Sequence, residues 1–588
     1  MNLNSSQMEA VRHLEGPLMV LAGPGSGKTT VITYRALQLI KEGGVPPRQI
    51  LVITFSKAAA IEMESRFMSA SKAVKAEACI FGTFHGIFFR VLRKRYGYGL
   101  EQVLQENDRR EMIRRLLDFE ADEDMLMAIR SEISLVKNEL HDLQYYNSTI
   151  MGAGEFRQLF SGYEEAKKEQ NKIDFDDMLT YCLQLWRQEP DCLAFWQRKF
   201  PYIMVDEFQD INHVQYECMR LLSAKPHHLC IVGDDDQSIY RFRGARPEFL
   251  LRFPDDYPLV KQVKLETNYR STDTIIAFSN TLITQNKVRY DKHIVGTGEK
   301  GPSPKIVVCR DQNHEAAHVA AQIKKHPNLD EVAVIYRTNM QARAFVDAFL
   351  QANIPYVVKD EISVIYEHWV ALDIFAYLQG HVERIVNKPF RFISKAFLQK
   401  AKQEKRHIFE YYTQSEMLNT AQQQRIEELM LNVRAVKKLS TAKAIHYIRK
   451  KAGYDDYIKD YCDYRKINPA GLYEIAAELQ ESAEAFPRPE DFIAHAEEVK
   501  NAKDHSGERV TLSTMHSAKG LEFDTVYIAG AVEGLIPHER SKTAAEIEEE
   551  RRLFYVGATR AKRHLYISVI KKRHEKKVEP SRFIKSKR

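Results

Sequence analysis

The sequence predicts an α/β protein built on two parallel sheets, each interrupted by a mainly helical insertion. Three observations carry this. Short apolar runs, each ending in a polar turn, recur between amphipathic helical patterns, as buried parallel strands require. These runs fall into two sets. Within each set lies a long charged stretch with helical periodicity. At 588 residues the chain also exceeds what one hydrophobic core supports; at roughly 150 residues per domain the prior is about four.

The first set comprises PLMVLA (17–22), ILVITF (50–55), YIMVDE (202–207) and LCIVGD (229–234), with the helical stretch 95–172 between its members. The second comprises KIVVC (305–309), VAVIYR (332–337), VTLSTM (510–515), TVYIAG (525–530) and LYISVI (565–570), with 366–505 between them. Composition is that of a soluble globular protein, 44% apolar and 28% charged. The formal charge of +6 is concentrated in residues 571–588, where nine Lys/Arg meet two Glu. That tail reads equally as a solvated terminus or as a segment that attracts phosphate. Seven scattered cysteines, without a C-x-x-C pair or a nearby histidine set, argue against a structural metal cluster and for a reducing compartment. No run reaches 18 apolar residues, so no membrane contact is expected, and the predicted location is cytoplasmic.

AGPGSGKTT (22–30) follows the first strand and opens a helix. Ala22 stands where the strict phosphate-loop pattern has Gly, but Gly23, Gly25 and Gly27 keep the backbone open. N–H groups at a helix N-terminus cradle phosphate oxygens. Lys28 would reach the β/γ-phosphates and Thr29 a Mg²⁺ ion, with Ser26 and Thr30 completing the loop. The metal partner should be an acid that ends another strand, and YIMVDEFQD supplies Asp206 for Mg²⁺ and Glu207 to orient and deprotonate water. These residues predict an NTP hydrolase that uses Mg²⁺.

Further segments give a specific resemblance: LNSSQMEAV (3–11), TFSKAAAIEMESR (54–66), GTFHGIFFRVLR (82–93), IDFDDML (173–179), VGDDDQSIYRFRGA (232–245), LETNYRST (265–272), AVIYRTNMQAR (333–343), TMHSAKGLEF (514–523) and EEERRLFYVGATRAKRHLYI (548–567). In this order they resemble the motifs of the UvrD/Rep/PcrA family of superfamily 1 DNA helicases. The resemblance implies two RecA-like P-loop domains with ATP in a cleft between them, moving 3′ to 5′ on single-stranded DNA, with a role in repair, replication or recombination. The implied division is 1–94 and 173–263 for the first RecA-like domain, 95–172 for its helical insertion, 264–365 and 506–575 for the second, 366–505 for its insertion, and 576–588 as a basic tail. Gln7 would read the adenine, Tyr269 would stack on it and Glu522 would contact the ribose. Gln237 would sense the γ-phosphate, and Arg270 and Arg560 would be arginine fingers from the second domain.

Single strands are gripped by basic grooves with aromatic platforms. Phe55, Tyr240 and Phe242 are the candidate platforms, with Arg243 linking them to the nucleotide. Phe583, Arg337, Asn339, His85 and His516 are further expected contacts to single-stranded DNA and single/double-strand junctions. The chain departs from the family at Phe242, usually Trp, at Thr30, Arg in several relatives, and in 357–378, which lacks the usual Gly-Gly pattern. Only NKPFRFI (387–393) resembles that insertion. Two other readings stay open: a translocase that strips proteins from single strands with little duplex unwinding, and a catalytically silent nucleic-acid-binding protein.

Overall fold

Among the described residues, two six-stranded sheets form, and every strand pairing within them is parallel. The computed structural model describes residues 3–585 apart from 72–78, 119–120, 122, 226, 361–364, 405–407, 413–415, 466, 502–506 and 575. Residues 361–364 of the divergent stretch and 586–588 of the basic tail therefore lie outside the described residues.

The first sheet contains β1 (Leu18–Ala22), β2 (Ile50–Thr54), β3 (Ile80–Thr83), β4 (Tyr202–Val205), β5 (His228–Gly233) and β6 (Lys261–Leu265), in the order β3-β2-β4-β5-β1-β6. The second contains β7 (Lys305–Cys309), β8 (Val332–Tyr336), β9 (Tyr356–Val358), β10 (Val510–Thr514), β11 (Phe523–Ile528) and β12 (Ala561–Ile570), in the order β7-β12-β11-β8-β10-β9. All nine apolar runs read from the sequence form strands. β1, β2, β8 and β10 are buried along their whole length, which is why they carry unbroken apolar runs.

The chain divides into two compact units, one of residues 1–301 with 551–555, the other of 302–550 with 556–588. Residues 264–301, which the expected division gives to the second RecA-like domain, cluster with the first unit. Strand β6 explains the start of this: it pairs with β1 from Leu18↔Lys261 to Ala22↔Leu265.

The helical stretch after the first three strands packs its own core, including Leu104, Ile113, Ile129 and Phe156. Buried lysines tie it to the helix Phe175–Gln188. Lys137 donates to both oxygens of Asp174 at 3.0 Å, and Lys167 donates to Asp177 at 2.6 Å. Tyr163 adds its hydroxyl to Asp174 at 3.0 Å. The acids of IDFDDML therefore hold an insertion in place.

The second insertion has a larger core running from Ile365 to Ala496. A buried ionic network joins it to the helix Ala342–Gln351 of the second sheet. Arg343 donates to Glu478 at 2.8 Å, Tyr366 to Asp347 at 3.0 Å, and His495 Nε2 lies 2.7 Å from Asp347. The described part of the basic tail is folded: β13 (Lys572–Arg573) pairs with β14 (Lys576–Lys577), Val532 bridges Pro580, and Arg582 forms a two-pronged pair with Glu533.

Candidate nucleotide site and aromatic surface

Strands β4, β5 and β1 are neighbours, so their carboxyl ends open side by side, where ligands of parallel sheets collect. The loop leaving β1 turns through Gly25 (φ 64°) and Gly27 (φ 83°) into the helix Lys28–Lys41. A Cβ on Gly25 would stand 2.6 Å from Arg270 Cβ, and one on Gly27 would stand 2.8 Å from Gln7 Nε2. Only glycine admits those neighbours. Gly27 is also the helix cap and makes no side-chain capping bond, so the first-turn N–H groups are available to an anion.

Hydrogen bonds gather the other expected nucleotide residues around this loop. Ser26 Oγ donates to the Gly23 carbonyl at 2.8 Å, and Gln7 Nε2 donates to the Ser26 carbonyl at 3.0 Å. The Tyr269 N–H donates to the Gly25 carbonyl at 3.0 Å, and Asn4 Nδ2 donates to the Tyr269 hydroxyl at 2.8 Å. The Tyr269 ring stays half exposed, as a base-stacking group requires. Arg270, expected from the second domain, belongs to the first unit with the loop it touches.

Asp206 follows β4 and its N–H donates to Ile53 O of β2 at 2.9 Å. Glu207 has φ 51°, a left-handed conformation costly for a non-glycine residue and frequent at functional sites. Gln209, which sequence reasoning passed over, is fully buried and spans the site. Its Nε2 donates to Glu207, and its Oε1 accepts the Asp234 N–H at 2.9 Å. Its signal lay in the spacing of DEFQD, two residues beyond the candidate base.

The three acids of GDDDQ are all buried, and Lys292 donates to Asp234 and Asp235 at 2.5 Å each. Arg289 grips Asp236 with two bonds of 2.8 and 2.7 Å. Burial raises the Asp234 carboxyl, but Lys292 and then Lys28 outweigh it and hold Asp234 below its ordinary value. The charge of Lys28 on the phosphate loop is thus felt at this acid. Burial, with its two acid neighbours, lifts Asp235 despite Lys292. Asp234 also accepts from Gln237 Nε2 at 2.6 Å, fixing the expected γ-phosphate sensor. Neither Lys292 nor Arg289 is visible as a partner in the sequence, because they lie more than fifty positions away.

Past Gln237 the same segment turns outward. Phe55 and Tyr240 stack at 5.7 Å and 6°, and Tyr240 meets Phe242 at 6.2 Å. The Arg243 guanidinium lies 5.5 Å from the Tyr240 ring and 5.4 Å from the Phe242 ring. Phe55 is 39% and Phe242 61% exposed, so the rings form one accessible surface. His85 packs against Phe175 at 5.9 Å, and burial holds its pKa below the usual histidine value. Phe175, exposed beside it, is an unforeseen member of IDFDDML.

The second unit holds the remaining expected residues. Arg337 forms a two-pronged pair with Glu550 at 3.0 and 2.6 Å. Asn339 is exposed and His516 half-buried. Glu522 is exposed and pairs with Lys562 at 3.0 Å. Arg560, expected as an arginine finger, is 2% exposed and donates to the carbonyls of Val556 and Leu521 at 2.9 and 3.2 Å. Phe583, expected as a stacking platform, is buried, so its ring faces are not open to a base. Position in a motif does not reveal what a side chain packs against.

A phosphate loop capping a parallel sheet, with an acid pair on the strand two places away, defines a P-loop nucleotide-binding protein. Residues 3–258 match the UvrD/REP helicase N-terminal domain and residues 263–572 the UvrD-like helicase C-terminal domain. The chain belongs to the UvrD-like helicase family. It is 34% identical to YjcD of Bacillus subtilis, over 99% of this chain and 80% of that protein. It is 32% identical to the ATP-dependent DNA helicase PcrA of Staphylococcus epidermidis, over 99% and 86%. It is 31% identical to DNA helicase II of Rickettsia typhi, over 96% and 92%.

Proposed function

We propose that this chain is an ATP-dependent DNA helicase that moves 3′ to 5′ along single-stranded DNA, entering at single/double-strand junctions in the bacterial cytoplasm. The observation that carries the reading is the segment Asp234–Arg243. At one end Asp234 feels the charge of Lys28 on the phosphate loop and accepts from Gln237; within a few residues Tyr240, Phe242 and Arg243 form an exposed platform suited to bases. A nucleotide-dependent shift at Gln237 has almost no chain to cross before it reaches DNA.

The loop N–H groups and Lys28 would hold the ATP phosphates, Gln7 and Tyr269 the base. Thr29 and Asp206 offer the hard oxygen donors that Mg²⁺ takes, and Asp206 sits at a strand end beside the loop strand's neighbours. That ion would neutralise phosphate charge. Glu207 would orient and deprotonate the attacking water, held in place by Gln209. Arg270, whose Cβ lies beside Gly25 of the loop, is an arginine that would help complete the transition state.

The test compares strand displacement on 3′-tailed and 5′-tailed duplexes, with ATP hydrolysis measured in parallel. Hydrolysis should rise about tenfold or more with single-stranded DNA, as expected when DNA closes a catalytic arrangement. Displacement should occur on the 3′-tailed substrate alone. Hydrolysis unaffected by any nucleic acid would overturn the motor reading. Stimulated hydrolysis with no displacement on either substrate would assign translocation without unwinding.

A further inference from the structure

Each sheet ends in two edge strands, and β7 is unlike the other three. A row of free N–H and C=O groups at an edge invites another chain, so proteins blunt such rows with lysines or short length. β6 exposes Lys261, Gln262 and Lys264, β9 has only three residues, and β3 is half-buried throughout. β7 instead exposes Ile306 and Val308, 51% and 57% open to solvent. Their partners in β12, Ile567 and Val569, lie on the same face and are buried. The apolar face of the sheet therefore runs past its cover and stops at the open edge.

The backbone there is open as well. The Cys309 carbonyl accepts the Lys571 N–H at 3.0 Å, which sets the alternation of the ladder. Lys305, Val307 and Cys309 turn their polar groups towards β12, and Ile306 and Val308 turn theirs away from it. Among the described residues nothing bonds to those outward N–H and C=O groups. The surroundings are basic. Lys571 and Lys572 flank the carboxyl end of the strand through bonds to the Cys309 and Arg310 carbonyls, Lys576 and Lys577 follow on β14, and Lys305 opens β7 itself. All five lysines are exposed, and among the described residues none pairs with a carboxylate. The acids at that end are already engaged: Asp311 accepts from Arg310 at 2.6 Å and Glu481 from the His574 N–H at 2.5 Å.

We propose that the β7 edge is a docking site for an extended, acidic segment of a partner protein, which adds a seventh strand to the second sheet. Main-chain bonds to Ile306 and Val308 hold the segment, and its apolar side chains at alternate positions cover those two residues. Its Asp and Glu residues, between and beyond them, meet the lysines. The occupant follows from the chemistry. A nucleic acid uses the lysines but gains nothing from Ile306 and Val308. A second copy of this chain brings five lysines of its own against these five, and like charges repel. A segment that alternates apolar and acidic residues satisfies the open backbone, the apolar pair and the charge together.

The test uses the full chain and fluorescein-labelled peptides of about eight residues, with Val, Ile or Thr at alternate positions and Asp or Glu between them, read by fluorescence anisotropy. Saturable binding is expected, weakened roughly tenfold when the peptide backbone is N-methylated at alternate residues and so cannot donate to the edge. Ile306→Ser with Val308→Ser should weaken it about as much, while Tm, ATPase activity and oligo(dT) affinity stay at wild-type values, because both side chains already lie in solvent. Lys571→Glu with Lys572→Glu should weaken the acidic peptides and admit counterparts carrying Lys in place of Asp and Glu. No saturable binding by any of the acidic peptides, or equal binding by the double serine variant, overturns the proposal. Loss of oligo(dT) affinity in the double glutamate variant, with peptide binding unmoved, overturns it in favour of nucleic acid. A concentration-dependent dimer that the double serine variant dissolves overturns it in favour of a second copy.

Discussion

Glu207 joins a strained backbone to a polar clamp, since its carboxylate accepts from the buried Gln209 while its φ of 51° aims it away from the strand. On the proposed reading such a residue would act on water. Glu207→Gln should lower DNA-stimulated turnover by about 10²–10⁴-fold, the usual loss for a general base, while a fluorescent ATP analogue binds with affinity close to wild type. Equal losses of binding and turnover would assign the residue a structural role. Lys292 makes the complementary case. Burial works against its charge, but three carboxylates hold its pKa well above the ordinary lysine value. Lys292→Met would strand those carboxylates in the interior, with an expected loss of about 3–5 kcal/mol seen in denaturant unfolding and a matching loss of ATPase activity as Asp234 and Gln237 come loose.

At the scale of the element, the aromatic surface depends on β2 and the β5 turn delivering Phe55 and Tyr240 into parallel contact. Phe242→Ala should raise the DNA concentration for half-maximal ATPase stimulation about tenfold, consistent with roughly 1–3 kcal/mol per stacked base. Phe242→Trp should lower it, because the larger ring extends the same platform. Retained half-saturation in the alanine variant would remove Phe242 from the track. The strands themselves show what a sequence can and cannot reveal. Those read from apolar runs include every interior strand of both sheets. The three missed, β3, β6 and β9, are all edges, with half-buried, alternating or three-residue patterns that leave no apolar run. Edge position withholds the signal because one flank faces solvent or loops. The phosphate loop and the acid pair were legible because their chemistry is local. Lys292, Arg289 and Gln209 were not, since a partner's identity depends on tertiary approach. The burial of Arg560 and Phe583 was not legible for the same reason: what a side chain packs against is set elsewhere in the chain.

At the scale of the molecule, buried carboxyls tie stability to pH. Glu315 is almost wholly buried and accepts the Gly530 N–H at 2.8 Å. Burial lifts its pKa from 4.5 to about 7, against the hydrogen bonds it accepts. A raised folded-state pKa means that the folded chain holds a proton the unfolded chain has released. The stabilisation is therefore full below about pH 4.5 and is lost as pH rises through about 7. Glu315→Gln keeps an acceptor for Gly530 and removes the titration. Its Tm should match wild type near pH 4.5 and exceed it at pH 8, by up to about 3 kcal/mol of stability. A Tm difference that does not vary with pH would show that Glu315 is not the titrating group.

The segment from Gly233 to Gly244 contains neither glycine nor proline between its ends, and it is pinned at one end by Lys292 and Arg289 and at the other by ring contacts. In engineering language it is a linkage without backlash: no slack must be taken up before an input displacement appears at the output. If the segment couples nucleotide to DNA as proposed, such a transmission would not amplify, so the distance moved along DNA per ATP would be bounded by the displacement of the platform itself. Nor would it idle. Inserting a single glycine between Gln237 and Tyr240 should leave both surfaces folded and let ATP be consumed with little forward motion.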